Sequence, residues 1–89
     1  MSEIEVVIAN RLGLHARAAA RFVHVANKFK SSISVMKQGS KVDGKSILGL
    51  LTLAASKGTR LKLVANGDDE KEALEELAKL IRGRFGEDD

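Results

Sequence analysis

No cysteine, proline, tryptophan or tyrosine occurs in the 89 residues, and three phenylalanines supply the whole 3% aromatic content. Without cysteine there is no disulfide framework and no zinc knuckle. That fits a reducing compartment. With so few aromatics there are few platforms for bases to stack on, so nucleic acid is a poor fit as a partner. No apolar run reaches the length of a membrane span. The opening Met1-Ser2-Glu3-Ile4-Glu5 is acidic and has no apolar leader segment. A cytoplasmic protein with no membrane insertion is the expectation.

What is present looks globular: 44% hydrophobic and 30% charged residues, with a formal net charge of +3. The length suits one small domain over residues 1–89. Bases concentrate between Arg11 and Lys62, and acids dominate from Asp68 to Glu76. A basic face of that kind suits an acidic partner.

Hydrophobic periodicity divides the chain. Ile4, Val6 and Ile8 alternate as a strand with one buried face. From Ala16 to Asn27 the apolar spacing turns helical, through Ala19, Phe22, Val23 and Ala26. Ser31 to Lys37 alternates again, Gln38-Gly39-Ser40 reads as a tight turn, and Lys41-Val42-Asp43 as a short returning strand. Ser46 precedes an apolar helix from Ile47 to Leu53, as its N-cap, and Lys57-Gly58 reads as the end of that helix. Arg60 to Ala65 is a fourth strand. Asp68 or Asp69 caps a last helix with the stripe Leu74, Leu77, Ala78 and Ile81, which Gly83 stops. Glu87-Asp88-Asp89 reads as a loose tail. Strands mixed with helices in this order suggest one sheet covered by helices on one face, an α+β domain.

The rest of the chain is organised around Asn10-Arg11-Leu12-Gly13-Leu14-His15-Ala16-Arg17-Ala18-Ala19-Ala20. Here a strand runs into a glycine and a helix leaves it, with His15 at the hinge. The first N–H groups of a helix lack intrahelical partners and carry partial positive charge, so they attract anions. That places the backbone of Ala16 and Arg17 at an anion site. The Arg17 guanidinium suits phosphate as a fork-shaped ligand. A helix start and a nearby arginine also disfavour imidazolium, and so favour a neutral ring nitrogen as nucleophile. The combination fits a histidine that takes up a phosphoryl group and passes it on.

Gly13-Leu14-His15-Ala16-Arg17-Ala18-Ala19-Ala20 resembles the active-site segment of the HPr family, the histidine phosphocarriers of the bacterial phosphotransferase system. The family pattern has proline where this chain has Ala18; alanine is a good helix former, so the helix start should survive. The resemblance covers essentially the whole chain. It implies an open-faced β-sandwich: a four-stranded antiparallel sheet in the order 1-4-2-3, with three helices on one face in the sequence βαββαβα. It also implies a monomeric carrier with no cofactor and no independent enzymatic turnover. His15 would accept a phosphoryl group, on Nδ1, from phospho-enzyme I and pass it to acceptor A-type domains of enzyme II, with Arg17 stabilising the phosphate.

Lys45-Ser46-Ile47-Leu48-Gly49-Leu50-Leu51 resembles the regulatory-serine segment of family members that serve HPr kinase/phosphorylase. Ser46 is therefore expected both to cap its helix and to be a phosphorylation target. Leu14, Ala20, Lys45, Ile47, Leu48 and Leu51 are the expected partner-binding residues beside His15. The alternatives are the nitrogen-branch NPr, whose ending resembles Arg82-Gly83-Arg84-Phe85-Gly86-Glu87-Asp88, and a binding module that acts through the Ser46 helix without transfer. Two other features are set aside. Gly39 to Ser46 fits the bare P-loop spacing, but 89 residues of this pattern supply no nucleotide-sized domain. His24 and Asp68-Asp69-Glu70 lack a metal-ligand constellation, so no metal is expected.

Overall fold

The computed structural model describes residues 1–88. The alternating segments become β1 (Ser2–Val7), β2 (Ser32–Lys37), β3 (Ser40–Asp43) and β4 (Arg60–Asn66). The segments of helical period become α1 (Ala16–Ala26), α2 (Ile47–Thr52) and α3 (Glu70–Arg82). The sheet runs β1-β4-β2-β3 and every pairing is antiparallel. Its register sets Val6 opposite Leu61, Leu63 opposite both Ile4 and Val35, and Ile33 opposite Ala65. One residue in two along each inner strand is therefore buried. A slip of one position would turn that row out to water, so the register is strongly specified.

The helices close over this row. Ala18, Ala19, Phe22 and Ala26 of α1 are buried, as are Ala73, Leu74, Leu77, Ala78 and Ile81 of α3. Alanines on both stripes let the helices approach closely. Phe22 is 1% exposed, and its burial contributes roughly 1.5–3 kcal/mol. Acids in the first turn of α3 (Glu70, Glu72) and bases in its last (Lys79, Arg82) complement the helix dipole.

Three local expectations are corrected. α2 stops at Thr52 rather than at Lys57-Gly58: the Leu53 N–H closes the last turn onto the Leu50 carbonyl, and Ala54 turns left-handed at φ 50°. Asp69 flanks α3 but makes no side-chain cap. Its carboxylate instead accepts the backbone N–H groups of Lys30 (2.9 Å) and Ser31 (3.0 Å) and the Ser31 hydroxyl, tying the start of α3 to the entry of β2. The tail is also ordered as far as it is described. Arg84–Gly86 form a 3-10 turn, Phe85 is only 1% exposed, and Glu87 is partly buried. Asp89 lies outside the described residues.

Candidate functional site

The loop between β1 and α1 is built on Gly13. Its φ is +69°, and a side chain there would meet the Ala55 carbonyl oxygen at 2.5 Å, so glycine is required on both counts. The Gly13 N–H closes a turn onto the Asn10 carbonyl (3.2 Å), and the Leu14 N–H is anchored on the Ala55 carbonyl (2.8 Å). The chain then enters α1 with His15 as N-cap in an extended conformation.

The imidazole is used from both sides. Nδ1 accepts the Arg17 backbone N–H at 3.3 Å, in the manner of a capping side chain. Nε2 meets the Glu87 carboxylate. The ring is about a quarter exposed, at 27%, so it is held and still reachable. Glu87 is fixed in turn by Asn10, which is fully buried at the base of the loop. The Asn10 Nδ2 group donates to the Gly13 carbonyl (2.7 Å) and to Glu87 Oε1 (2.9 Å). Burial pushes the Glu87 carboxyl up. Hydrogen bonds from Asn10 and His15, with the charges of His15 and Arg21, outweigh burial and hold it below the usual carboxylate range.

The tail reaches this position through a turn of unusual backbone. Arg84 and Phe85 are left-handed at φ 58° and 55°, and Gly86 follows at 77°. Such conformations cost non-glycine residues energy. The buried Phe85 ring and the Arg21 guanidinium, which donates to the Phe85 carbonyl, hold the turn down.

The expected residues sort into two sets. Ala16, Arg17 and Ala20 are exposed on the first turns of α1 beside His15. Arg17, Ala20, Arg21 and His24, with Val25 and Leu80, line a shallow, largely apolar hollow of about 330 Å³. On α2, Ser46 caps the helix by accepting the Gly49 N–H at 3.0 Å. Ile47 and Leu48 point outward, Leu48 at 77% exposure. Leu51 is half-buried against the core. Leu14 is a correction: at 5% exposure it belongs to the core and supports the loop from beneath, presenting no surface to a partner. Lys45 is partly tied down, because its ammonium donates to the Phe29 carbonyl at 2.8 Å. Leu12, which the sequence had not singled out, is 61% exposed on the histidine loop. Among the described residues, no group of three His, Cys, Asp or Glu side chains is placed to hold a metal ion, and no helix is long and apolar enough to cross a membrane.

Sequence reasoning missed Asn10 and Glu87. The available signal was Phe85, one of three aromatics, set between glycines after the last helix. A lone large apolar side chain there is hard to leave in water.

Residues 2–83 match the family model described as the PTS HPr component phosphorylation site. Phosphocarrier protein HPr of Neisseria meningitidis serogroup A is 51% identical over 87 residues, 98% of each chain. A crystal structure of HPr from Thermoanaerobacter tengcongensis superposes with a TM-score of 0.95 at 50% identity, covering 99% of both chains. A second crystal structure from that organism, described as an HPr dimer, superposes at 0.78 with 50% identity, covering 98% of this chain and 100% of that one.

Proposed function

The chain belongs to the HPr family of phosphocarriers of the phosphotransferase system, and from that premise we propose that His15 accepts a phosphoryl group from phospho-enzyme I and hands it to A-type domains of enzyme II. The observation that carries this reading is the presentation of the ring. His15 is fixed on both nitrogens, partly exposed, and seated on the first turn of an 11-residue helix. The Arg17 N–H lies 3.3 Å from Nδ1. A phosphoryl group on Nδ1 would take over as its acceptor, with the positive end of the helix behind it. The Arg17 guanidinium, exposed next to the ring, is free to turn onto the phosphate as a second ligand. Transfer of this type is mostly positioning and electrostatics, so little further machinery is needed. The chain acts as a relay in the cytoplasm and turns over no small molecule alone.

The docking surface in this reading is Ala16, Arg17 and Ala20 of α1 together with Ile47 and Leu48 of α2, which packs on α1. Exposed apolar groups edged by arginine suit an acidic partner. Ser46 lies at the head of α2 on this surface. A phosphate placed there by a kinase would sit well at a helix start and would repel an acidic partner's face. The acting form in this reading is a monomer. Sedimentation would check that against the dimeric relative.

The test is incubation with enzyme I, Mg²⁺ and phosphoenolpyruvate, followed by intact mass. One acid-labile, base-stable phosphate is expected, and His15→Ala should gain none while keeping its fold. Labelling of that variant at the normal rate would sink the assignment. Parallel runs with sugar-branch and nitrogen-branch enzyme I decide the branch.

A further inference from the structure

Glu87 has no part in the reading above, yet it makes the most specific contact His15 has. A carboxylate can only accept, so in the neutral ring the proton of this contact belongs to Nε2. The Arg17 N–H can only donate, so Nδ1 must carry a lone pair. Two separate elements, the helix start and the chain's far end, thus select the same tautomer. The carboxylate is itself placed by a buried amide and by an anchored turn, with Phe85 as the plug and Arg21 as the latch. A side chain that merely drifted near the ring would not show this second layer of support.

We propose that Glu87 is a positioning residue for phosphoryl transfer: its carboxylate holds the ring proton on Nε2, leaves the Nδ1 lone pair to attack, and offsets the charge the ring then gains. This rests on His15 being the phosphoryl acceptor. In the step, the Nδ1 lone pair forms a bond to phosphorus while the bond from phosphorus to the donor breaks, its electron pair leaving with the donor. No proton has to leave His15, because Nε2 keeps the one it has. The ring becomes cationic, and the Nε2–H bond to Glu87 becomes a charge-assisted one. The return transfer reverses this, again without proton movement. The charged or polar groups facing the ring are Glu87 from the tail, Asn10 behind it, and the Arg17 N–H from α1, with Arg21 close to the Glu87 carboxylate.

The experiment uses the full chain labelled with ¹⁵N in histidine, as wild type, Glu87→Ala and Glu87→Gln. The ring ¹⁵N shifts of the neutral form report which nitrogen carries the proton, with no enzyme present. Wild type should show Nε2–H alone. Glu87→Ala should show a mixture and accept the phosphoryl group about tenfold more slowly, the scale of one lost charge-assisted hydrogen bond. Glu87→Gln can still accept from Nε2–H through its amide oxygen. It should keep the tautomer but not the charge, and fall between the two in rate. An unchanged tautomer in a folded Glu87→Ala overturns the proposal, as does a mixed tautomer with an unchanged rate. A wild type that takes no phosphoryl group fails the carrier reading instead. The ring shifts, read without enzyme, keep the two failures apart.

Discussion

Asn10 and Glu87 stand 77 positions apart in the chain and 2.9 Å apart in the fold. The same amide group also bonds the Gly13 carbonyl at 2.7 Å. One buried side chain thus sets the shape of the histidine loop and places the carboxylate that meets the histidine. The cost is visible too, because Asn10 Oδ1 is buried with no partner.

Asn10→Ala should therefore weaken the protein as a whole. Two bonds are lost, while the Gly13 carbonyl keeps the His15 N–H and the Glu87 carboxylate keeps the imidazole, against the relief of one unpartnered oxygen. A loss of about 1–3 kcal/mol is expected, or roughly 4–20 °C in Tm for a domain of this size. Urea unfolding at neutral pH measures it, and an unchanged midpoint would mean the amide is only a bystander.

Phe85→Ala tests whether the tail is structural. The ring is 1% exposed and holds down two left-handed residues. Truncation should cost about 3 kcal/mol, the low end for a buried phenylalanine because the turn can lift away. Amide exchange should rise across residues 84–87 and stay slow in β4. A cost well under 1 kcal/mol would return the tail to the loose segment that its sequence suggested.

Acid should loosen the carboxylates that are bonded in the fold. The Ser31 hydroxyl and the N–H groups of Lys30 and Ser31 hold Asp69 below its ordinary value, against burial. The hydroxyl of Ser2, the Gly67 N–H and the N-terminal ammonium do the same for Glu70. Both groups are depressed in the fold. Their stabilisation is fully present above the unfolded carboxylate range, near about 4, and is lost as pH falls through the lower folded values. Urea midpoints should decline below about pH 4.5. In Asp69→Asn the midpoint should be lower at neutral pH and the acid slope shallower. An identical slope would remove Asp69 from this account.

Ser46 separates capping from signalling. Ser46→Ala loses the bond to the Gly49 N–H and should cost about 1 kcal/mol. Ser46→Asp keeps a good cap and should leave stability near that of the wild type. It adds a negative charge at the docking face, so acceptance from enzyme I should be weaker. Equal acceptance rates in Ser46→Asp and wild type would leave the serine as a cap alone.

Much of the fold was legible because each element carries its own local signal. Ile4, Val6 and Ile8 alternate, and Leu74, Leu77, Ala78 and Ile81 repeat at helical spacing. The order of strands was not legible that way; it came from family resemblance. What failed were contacts over long chain separations. Asp69 looked like a cap from its neighbours, yet its carboxylate went to Ser31, 38 positions away. Glu87 had only Phe85, two positions before it, to mark it. Leu14 was expected among the partner-binding residues, and is buried because its loop is bonded down onto Ala55.

The contact between His15 and Glu87 closes over 72 positions of chain. On a ribosome adding about 5–20 residues per second, that gap is several seconds of synthesis. For that interval the nascent chain carries its histidine without its acid, however well β1 and α1 have begun to form. Any message that ends a few codons early would yield a protein with a whole sheet and an unfinished imidazole pocket.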